Sequence, residues 1–313
     1  MSRKALIAIG GNSLIRAGER GTIEEQLHNA NETAKSIAIM IEKGWDVIIT
    51  HGNGPQAGAA LIRSERASNE VYSHTLDMCV ATTQSEIGYI LERALRTQFK
   101  LKNINKEVVT IPTMVEVSKN DPAFLKPTKP IGPFYTKEVA LNKQKTLGWN
   151  IVEDASRGYR RVVASPEPLR VIQLESINKI IDLGLVVIAL GGGGIPVVYD
   201  ENGNLQGKEA VIDKDRSSAL LANSLNVDLF IISTDASEVF INYKKENQFG
   251  LRNTNIDELQ KYYSDGHFPA GSMGPKVESV IKFIKNGGKH AIITSYEYLE
   301  EALNGNAGTH IMA

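Results

Sequence analysis

The chain has 313 residues, 42% of them hydrophobic and 23% charged, the balance of a globular protein with ample buried core. A formal net charge of -1 excludes the basic excess typical of nucleic-acid binders, so any anion must be held by a few placed cations and backbone N–H groups. Cys79 is the single cysteine, which excludes an intrachain disulfide and a cysteine-rich metal cage; no apolar run reaches membrane-spanning length and the first residues lack a secretory pattern, so the expected location is the cytoplasm.

In chain order, Ala5–Ile9 reads as a first buried strand ending in Gly10-Gly11-Asn12. A helical pattern follows from about Ile23 to Lys43 and stops at Gly44. Asp46–Thr50 is the second strand, broken at His51-Gly52-Asn53-Gly54, and Pro55 suits the first turn of the next helix. A long helix is expected from about Thr75 to Phe99, then strand character from Glu107 to Val117 interrupted by Pro112. The prolines between Asn120 and Tyr135 forbid regular helix or a central strand, and residues 118–162 read as a small lobe or lid outside the main sheet. A helix over about Leu169–Leu183 precedes the apolar strand Leu185–Leu190, which runs into Gly191-Gly192-Gly193-Gly194. Asn202-Gly203-Asn204 reads as a hairpin turn, Asp213–Asn226 as helix from a strand-to-helix junction, Asp228–Ser233 as strand, Gly274–Asn286 as helix and His290–Thr294 as a late strand. Short apolar runs alternating with longer amphipathic ones predict a mostly parallel sheet covered by helices, the α/β class.

Three glycine-containing turns thus follow three strands. In an open parallel sheet such turns lie at the carboxyl edge, where ligands bind, and glycine leaves N–H groups exposed to an oxyanion. Tight chain reversal alone accounts for one such turn; three favour anion binding. No G-x-x-x-x-G-K-[ST] loop is present, since Gly207-Lys208 is followed by Glu209 and Gly288-Lys289 by His290. Gly52-x-Gly54-x-x-Ala57 matches a loose dinucleotide fingerprint, but the acidic residue that pattern wants falls in a helical stretch around Asp77.

The candidate cations are Lys129, stiffened between Pro127 and Pro130; Lys214, just after a candidate N-cap, Asp213; and Lys276, at the start of a helix. A lysine at a helix N-terminus opposes the dipole, which makes sense where it meets an anion shared with the helix amides. Most lysines of any chain are solvated surface groups, and that reading stays open for Lys129 on these grounds. Phosphoryl transfer needs charge neutralisation and positioning, which such lysines can supply, with Asp215 orienting Lys214 and Lys129. His51 reads as a hydrogen-bonded structural residue, a general base being the alternative.

These segments, with Pro127-Thr128-Lys129-Pro130-Ile131-Gly132-Pro133, Val163-Ala164-Ser165-Pro166-Glu167-Pro168 and Gly271-Ser272-Met273-Gly274-Pro275-Lys276, resemble the amino-acid kinase superfamily and, within it, the carbamate kinases. The resemblance covers essentially the whole chain. It implies one three-layer αβα sandwich domain around a central eight-stranded, mainly parallel sheet with a small protruding subdomain, and a homodimer without nucleic-acid or membrane partners. It implies reversible, Mg²⁺-dependent transfer between ATP/ADP and carbamate or carbamoyl phosphate, serving arginine, agmatine or purine-derivative breakdown, with no metal ligand directly from the protein. It implies that Lys129, Lys214 and Asp215 are catalytic. Gly10, Gly11, Asn12, Gly52, Asn53 and Gly54 would bind the carbamate or phosphoryl end, Asn53 adding a side-chain donor. Gly191, Gly192 and Gly193 would line the same site, and Lys276, Met273 and Asp213 the nucleotide. Ser13, where alanine is commoner, and Ser85-Glu86, where a glycine commonly follows Gln84, depart from the pattern. Two other readings remain: a superfamily kinase for a larger acid, and a nucleotide or carbamoyl-phosphate sensor without turnover.

Overall fold

The computed structural model describes residues 3–11, 14–16, 18–154, 158–269 and 272–313. Asn12, Ser13 and Gly271 lie outside the described residues. The described chain forms an eight-stranded sheet in the order Asn253–Asn255, Thr309–Met312, His290–Thr294, Leu229–Ser233, Arg3–Ile9, Trp45–His51, Val186–Ile188, Val108–Thr110. Its pairings are parallel except that of His290–Thr294 with Thr309–Met312.

Successive residues of one strand feed opposite cores. Ala5, Ile7 and Ile9 pack on one face with Val47, Ile49, Val186 and Ile188. Leu6 and Ala8 pack on the other with Ile48, Val187, Phe230 and Ile232. The central stretches Ala5–Ile9 and Val186–Ile188 are therefore apolar at every position, the pattern of a parallel sheet covered on both sides. Helices α1 (Ile23–Glu42), α3 (Leu76–Lys102) and α9 (Leu299–Leu303) cover the first face; α5 (Leu174–Asp182), α6 (Lys214–Ser224), α7 (Ile256–Ser264) and α8 (Met273–Lys285) cover the second. The result is a three-layer αβα sandwich with a mainly parallel central sheet. Helix α1 starts on a reciprocal capping box between Thr22 and Glu25, and α3 ends on Asn103 in the left-handed region, φ 54°.

The strand-like stretch Glu107–Val117 divides at Pro112 between two sheets. Val108–Thr110 closes the main sheet, whereas Met114–Val117 pairs with Ile195–Tyr199 and Pro168–Val171 in a four-stranded sheet. That pairing corrects the expected helix over Leu169–Leu183: residues 168–171 are recruited as an antiparallel strand, and the helix begins only at Leu174. Val211 and Ile212 belong to no strand among the described residues, so no strand leads into α6. The Asn202-Gly203-Asn204 hairpin joins Ile195–Tyr199 to Leu205–Gly207.

A separate three-stranded sheet takes Lys129–Tyr135, Gly158–Val163 and Asn150–Asp154, in that order, with α4 (Lys137–Leu147) between its strands in sequence. The proline-bearing strand Lys129–Tyr135 stands at an edge and its register shifts between Ile131 and Tyr135, where prolines are tolerated. It docks on α2 (Gly54–Arg66): a Cβ built on Gly58 would lie 2.1 Å from Gly132 Cα.

Candidate active site

Parallel register brings the glycine turns together. Ile9 is level with His51 and with Ser233, and Ile49 with Ile188, so Gly10-Gly11, Gly52-Asn53-Gly54 and Gly191–Gly194 leave the sheet at one carboxyl edge. The turns touch. A Cβ on Gly52 would sit 3.2 Å from Gly11 N, one on Gly192 within 2.4 Å of the Asn53 amide atoms, and one on Gly193 2.5 Å from Ile212 O. Glycine is required at 192 and 193 for a second reason, φ of 66° and 88°.

Several of the amides expected to meet an anion are already bonded. Gly10 N donates to Ser233 O and Gly52 N to Ile9 O; Gly193 N and Gly194 N close the third turn on Leu190 O and Gly191 O. At Gly52 and Gly193 the absence of a side chain also permits the close approach of neighbouring backbone.

The lysines converge from three segments. Lys129, on the edge strand of the lobe, places Nζ 2.5 Å from Asp213 Oδ2 across 84 residues of sequence. Asp213 caps α6, its Oδ1 accepting from the amides of Asp215 and Arg216. Lys214 is buried, donates to Ala8 O at 3.1 Å and stands 2.7 Å from Asp215 Oδ1. Lys276, in the first turn of α8, donates to Asp215 Oδ2 at 3.1 Å. Asp215 therefore orients Lys214 and Lys276. The expectation that it also orients Lys129 is corrected: Asp213, one residue before Lys214, takes that place because α6 starts there and turns its cap toward the lobe. Met273 opens α8 and packs partly buried against the second-face core.

Burial and neighbouring charges oppose one another in this cluster. Burial opposes the charge on Asp213, but Lys129 and Lys276 outweigh it and lower its pKa. The same opposition operates at Asp215, where Lys214 and Lys276 prevail. Burial opposes the Lys276 ammonium, yet Asp215, Asp213 and Asp235 raise its pKa. For Lys214 burial prevails, aided by Lys276 and countered by Asp215, and its pKa falls. Asp213 and Asp215, with Asp235 acting on Lys276, balance the lysines that converge on the site.

His51 is fully buried against Gly191, with Nδ1 3.1 Å from Gly52 O. Burial, with the Lys214 charge, lowers its pKa to about 4 against the Gly52 hydrogen bond, so it stays a neutral donor to the backbone near neutrality.

Sequence reading missed the residues that set the third turn. Gln84 accepts from Thr113 N and donates to Thr113 O and Gly191 O; Ser217 Oγ donates to Gly193 O at 2.6 Å. The available signal was Thr83-Gln84 on an α3 face otherwise carrying Cys79, Val80 and Ile87. Arg216 and Lys282 also bind Glu167 and Glu278 in a ring that ties the chain leaving the lobe to α6 and α8.

The family model for the amino acid kinase family matches residues 3–295. The chain belongs to the amino acid kinase family. It is a phosphotransferase by that membership, and its resemblance to carbamate kinases runs end to end. The carbamate kinase of Pyrococcus horikoshii is 47% identical over 99% of both chains, and that of Staphylococcus haemolyticus 47% identical over 98% of this chain and 99% of its own. Among solved structures, carbamate kinase from Giardia lamblia bound to citric acid superposes with TM-score 0.95 at 38% identity, covering 99% of this chain and 98% of the other. The Giardia enzyme bound to AMP-PNP, an ATP analogue, gives TM-score 0.91 at 39% identity, with 99% and 98% covered. No helix among the described residues is long and apolar enough to cross a membrane.

Proposed function

We propose that this member of the family catalyses ATP + carbamate ⇌ ADP + carbamoyl phosphate. The observation that carries the reading is the convergence of Lys129, Lys214 and Lys276 on Asp213 and Asp215 beside the glycine turns; full-length likeness to carbamate kinases supports the choice of acid. In the forward direction one carbamate oxygen forms a bond to the γ-phosphorus as the bond from that phosphorus to the ADP oxygen breaks. No proton is transferred, so the protein's work is positioning and charge neutralisation.

Lys129 and Lys214 meet the transferring phosphoryl oxygens, Asp215 fixes Lys214 and Lys276, and Lys276 with the start of α8, including Met273, takes the nucleotide phosphates. Asp213 holds Lys129 until the phosphate competes for it. Gly11, Asn53, Gly54 and Gly192 let the small acid approach the backbone.

Among the described residues no group of three or more His, Cys, Asp and Glu can hold a metal ion, and both site aspartates face lysines. Magnesium is expected to enter with the nucleotide as substrate, and no step is assigned to it.

The lobe of residues 118–162 acts as a lid that carries Lys129 onto the site. The reaction runs toward ATP in arginine, agmatine or purine-derivative breakdown, in a cytoplasmic homodimer. ADP and carbamoyl phosphate, with magnesium and folded protein, are expected to yield ATP in a luciferase-coupled assay. No ATP above background overturns the reading.

A further inference from the structure

Leu190 stands in the left-handed region, at φ 52° and ψ 34°, although it carries a branched side chain and is fully buried. A residue with a Cβ is disfavoured there and persists only where its surroundings hold it. Two contacts do so. Its side chain is part of the second-face core, and its amide donates to Thr113 Oγ1 at 3.1 Å.

Thr113 lies where the chain has left the main sheet after Thr110 and is about to enter the second sheet at Met114, and it is 0% exposed. Its hydroxyl proton goes to Ile111 O at 2.7 Å, which leaves the oxygen to accept from Leu190 N. Gln84 of α3 grips its backbone. Thr113 N donates to Gln84 Oε1 at 2.8 Å, while Nε2 donates to Thr113 O and Gly191 O. That amide cannot turn over, because one N–H requires its oxygen and two carbonyls require its nitrogen. Thr113 O also accepts from Ile195 N, just past the turn. Thr113 therefore binds the third glycine turn at both ends, and Gln84 joins it to the middle.

What this clamp holds in place is the site. Gly192 lies against the Asn53 amide and Gly193 against Ile212 O and the Asp213 backbone, each too close for a Cβ. The turn is thus a spacer between the second glycine turn and the cap of α6, where Asp213 meets Lys129 and Lys214 follows. Chain reversal alone is served by glycine at position 190, with no clamp. We infer that Thr113 is a positioning residue for the phosphoryl transfer: its hydroxyl holds Leu190 left-handed, so that the turn sets the separation between Asn53 and the lysine cluster. The inference rests on the reaction proposed above. Small misplacements of this kind, remote from the reacting atoms, lower rates strongly.

The test is steady-state ATP formation from carbamoyl phosphate and ADP by the full-length protein, well below the melting temperature of each variant. Thr113→Val keeps the shape and removes the hydroxyl, and kcat is expected to fall by about 10- to 100-fold. The KM for ADP is expected to stay within about twofold, because Lys276 and α8 are bonded to Asp215 and not to the turn. Thr113→Ser keeps the hydroxyl and is expected to restore kcat to within about threefold of the parent. Should Thr113→Val fail to fold, Gln84→Met carries the test with the same expected split, since it leaves the Leu190 bond and releases Gly191 O. A lowered melting temperature with kcat unchanged, or both KM values rising alike, shows a purely structural role and overturns the inference. Thr113→Ser as impaired as Thr113→Val overturns it too. Absence of ATP from carbamoyl phosphate in the unaltered protein overturns the reaction itself and is distinguishable from all of these.

Discussion

Gly58 of α2 and Gly132 of the lobe strand meet backbone to backbone, with space for no side chain at 58: an added Cβ would stand 2.1 Å from both Gly132 N and Gly132 Cα. The contact seats the strand that begins at Lys129 against α2. Because the obstacle is main chain, it cannot be relieved by a rotamer change. Gly58→Ala is expected to destabilise the fold by about 1–3 kcal/mol through overpacking and to lower activity by shifting Lys129. A thermal melt and a turnover assay check it; an unchanged melt with unchanged turnover sinks it.

Lys129→Ala removes the ammonium that joins the lobe to Asp213. Loss of one preorganised charge at a reacting phosphoryl group lowers rate by about 10²–10³-fold. The expected result is a fall of that order in ATP formation from carbamoyl phosphate, with the far-ultraviolet circular dichroism spectrum retained. Activity within twofold of the parent removes Lys129 from the reaction.

Asp215 is the shared counterion of two lysines, and its side chain is 4% exposed. Asp215→Ala leaves Lys214 and Lys276 facing each other in a buried place, which is expected to reduce stability by about 3–5 kcal/mol. Adding Lys214→Met should recover part of the loss, since the uncompensated buried charge goes with it. Urea unfolding of both variants reads this directly, and a double variant no more stable than the single one contradicts it.

Two histidines set a pH window. His51 and His290 both have pKa values lowered to about 4, mainly by burial, with His290 also opposed by His310. Each is neutral in the folded protein while its unfolded form takes a proton near pH 6.5, so the unfolded state binds more protons between those values and stability falls with acidity across that interval. The aspartates act below it: with pKa values lowered in the fold, their contribution is present above the ordinary carboxylate range and lost as pH falls through it. His290→Gln is expected to flatten the decline between about pH 6.5 and 4. A decline as steep as the parent's, in urea midpoints taken across that range, would count against it.

The parts legible in the sequence were those with local causes. Uninterrupted apolar strands ending in glycine announced both the doubly covered sheet and its binding edge, and Pro127 and Pro130 marked Lys129 as unusual. Pairing over distance was hidden: nothing near Lys129 names Asp213, since the bond depends on where the lobe seats against α6. Leu169–Val171 looked helical because its strand identity comes from Met114–Val117. The short segments Asn253–Asn255 and Thr309–Met312 carry too few residues to show a period.

Asp213 and Asp215 also bear on how fast the protein can let go. Each carboxylate occupies an ammonium that a phosphate will want, so binding is an exchange of one anion for another, not the filling of a bare cationic trap. Three unaccompanied lysines would grip a polyphosphate tightly in either direction and make departure slow. With its own anions waiting to return, such a cluster would release a nucleotide or an acyl phosphate by swapping partners, a property suited to the reversible transfer proposed above.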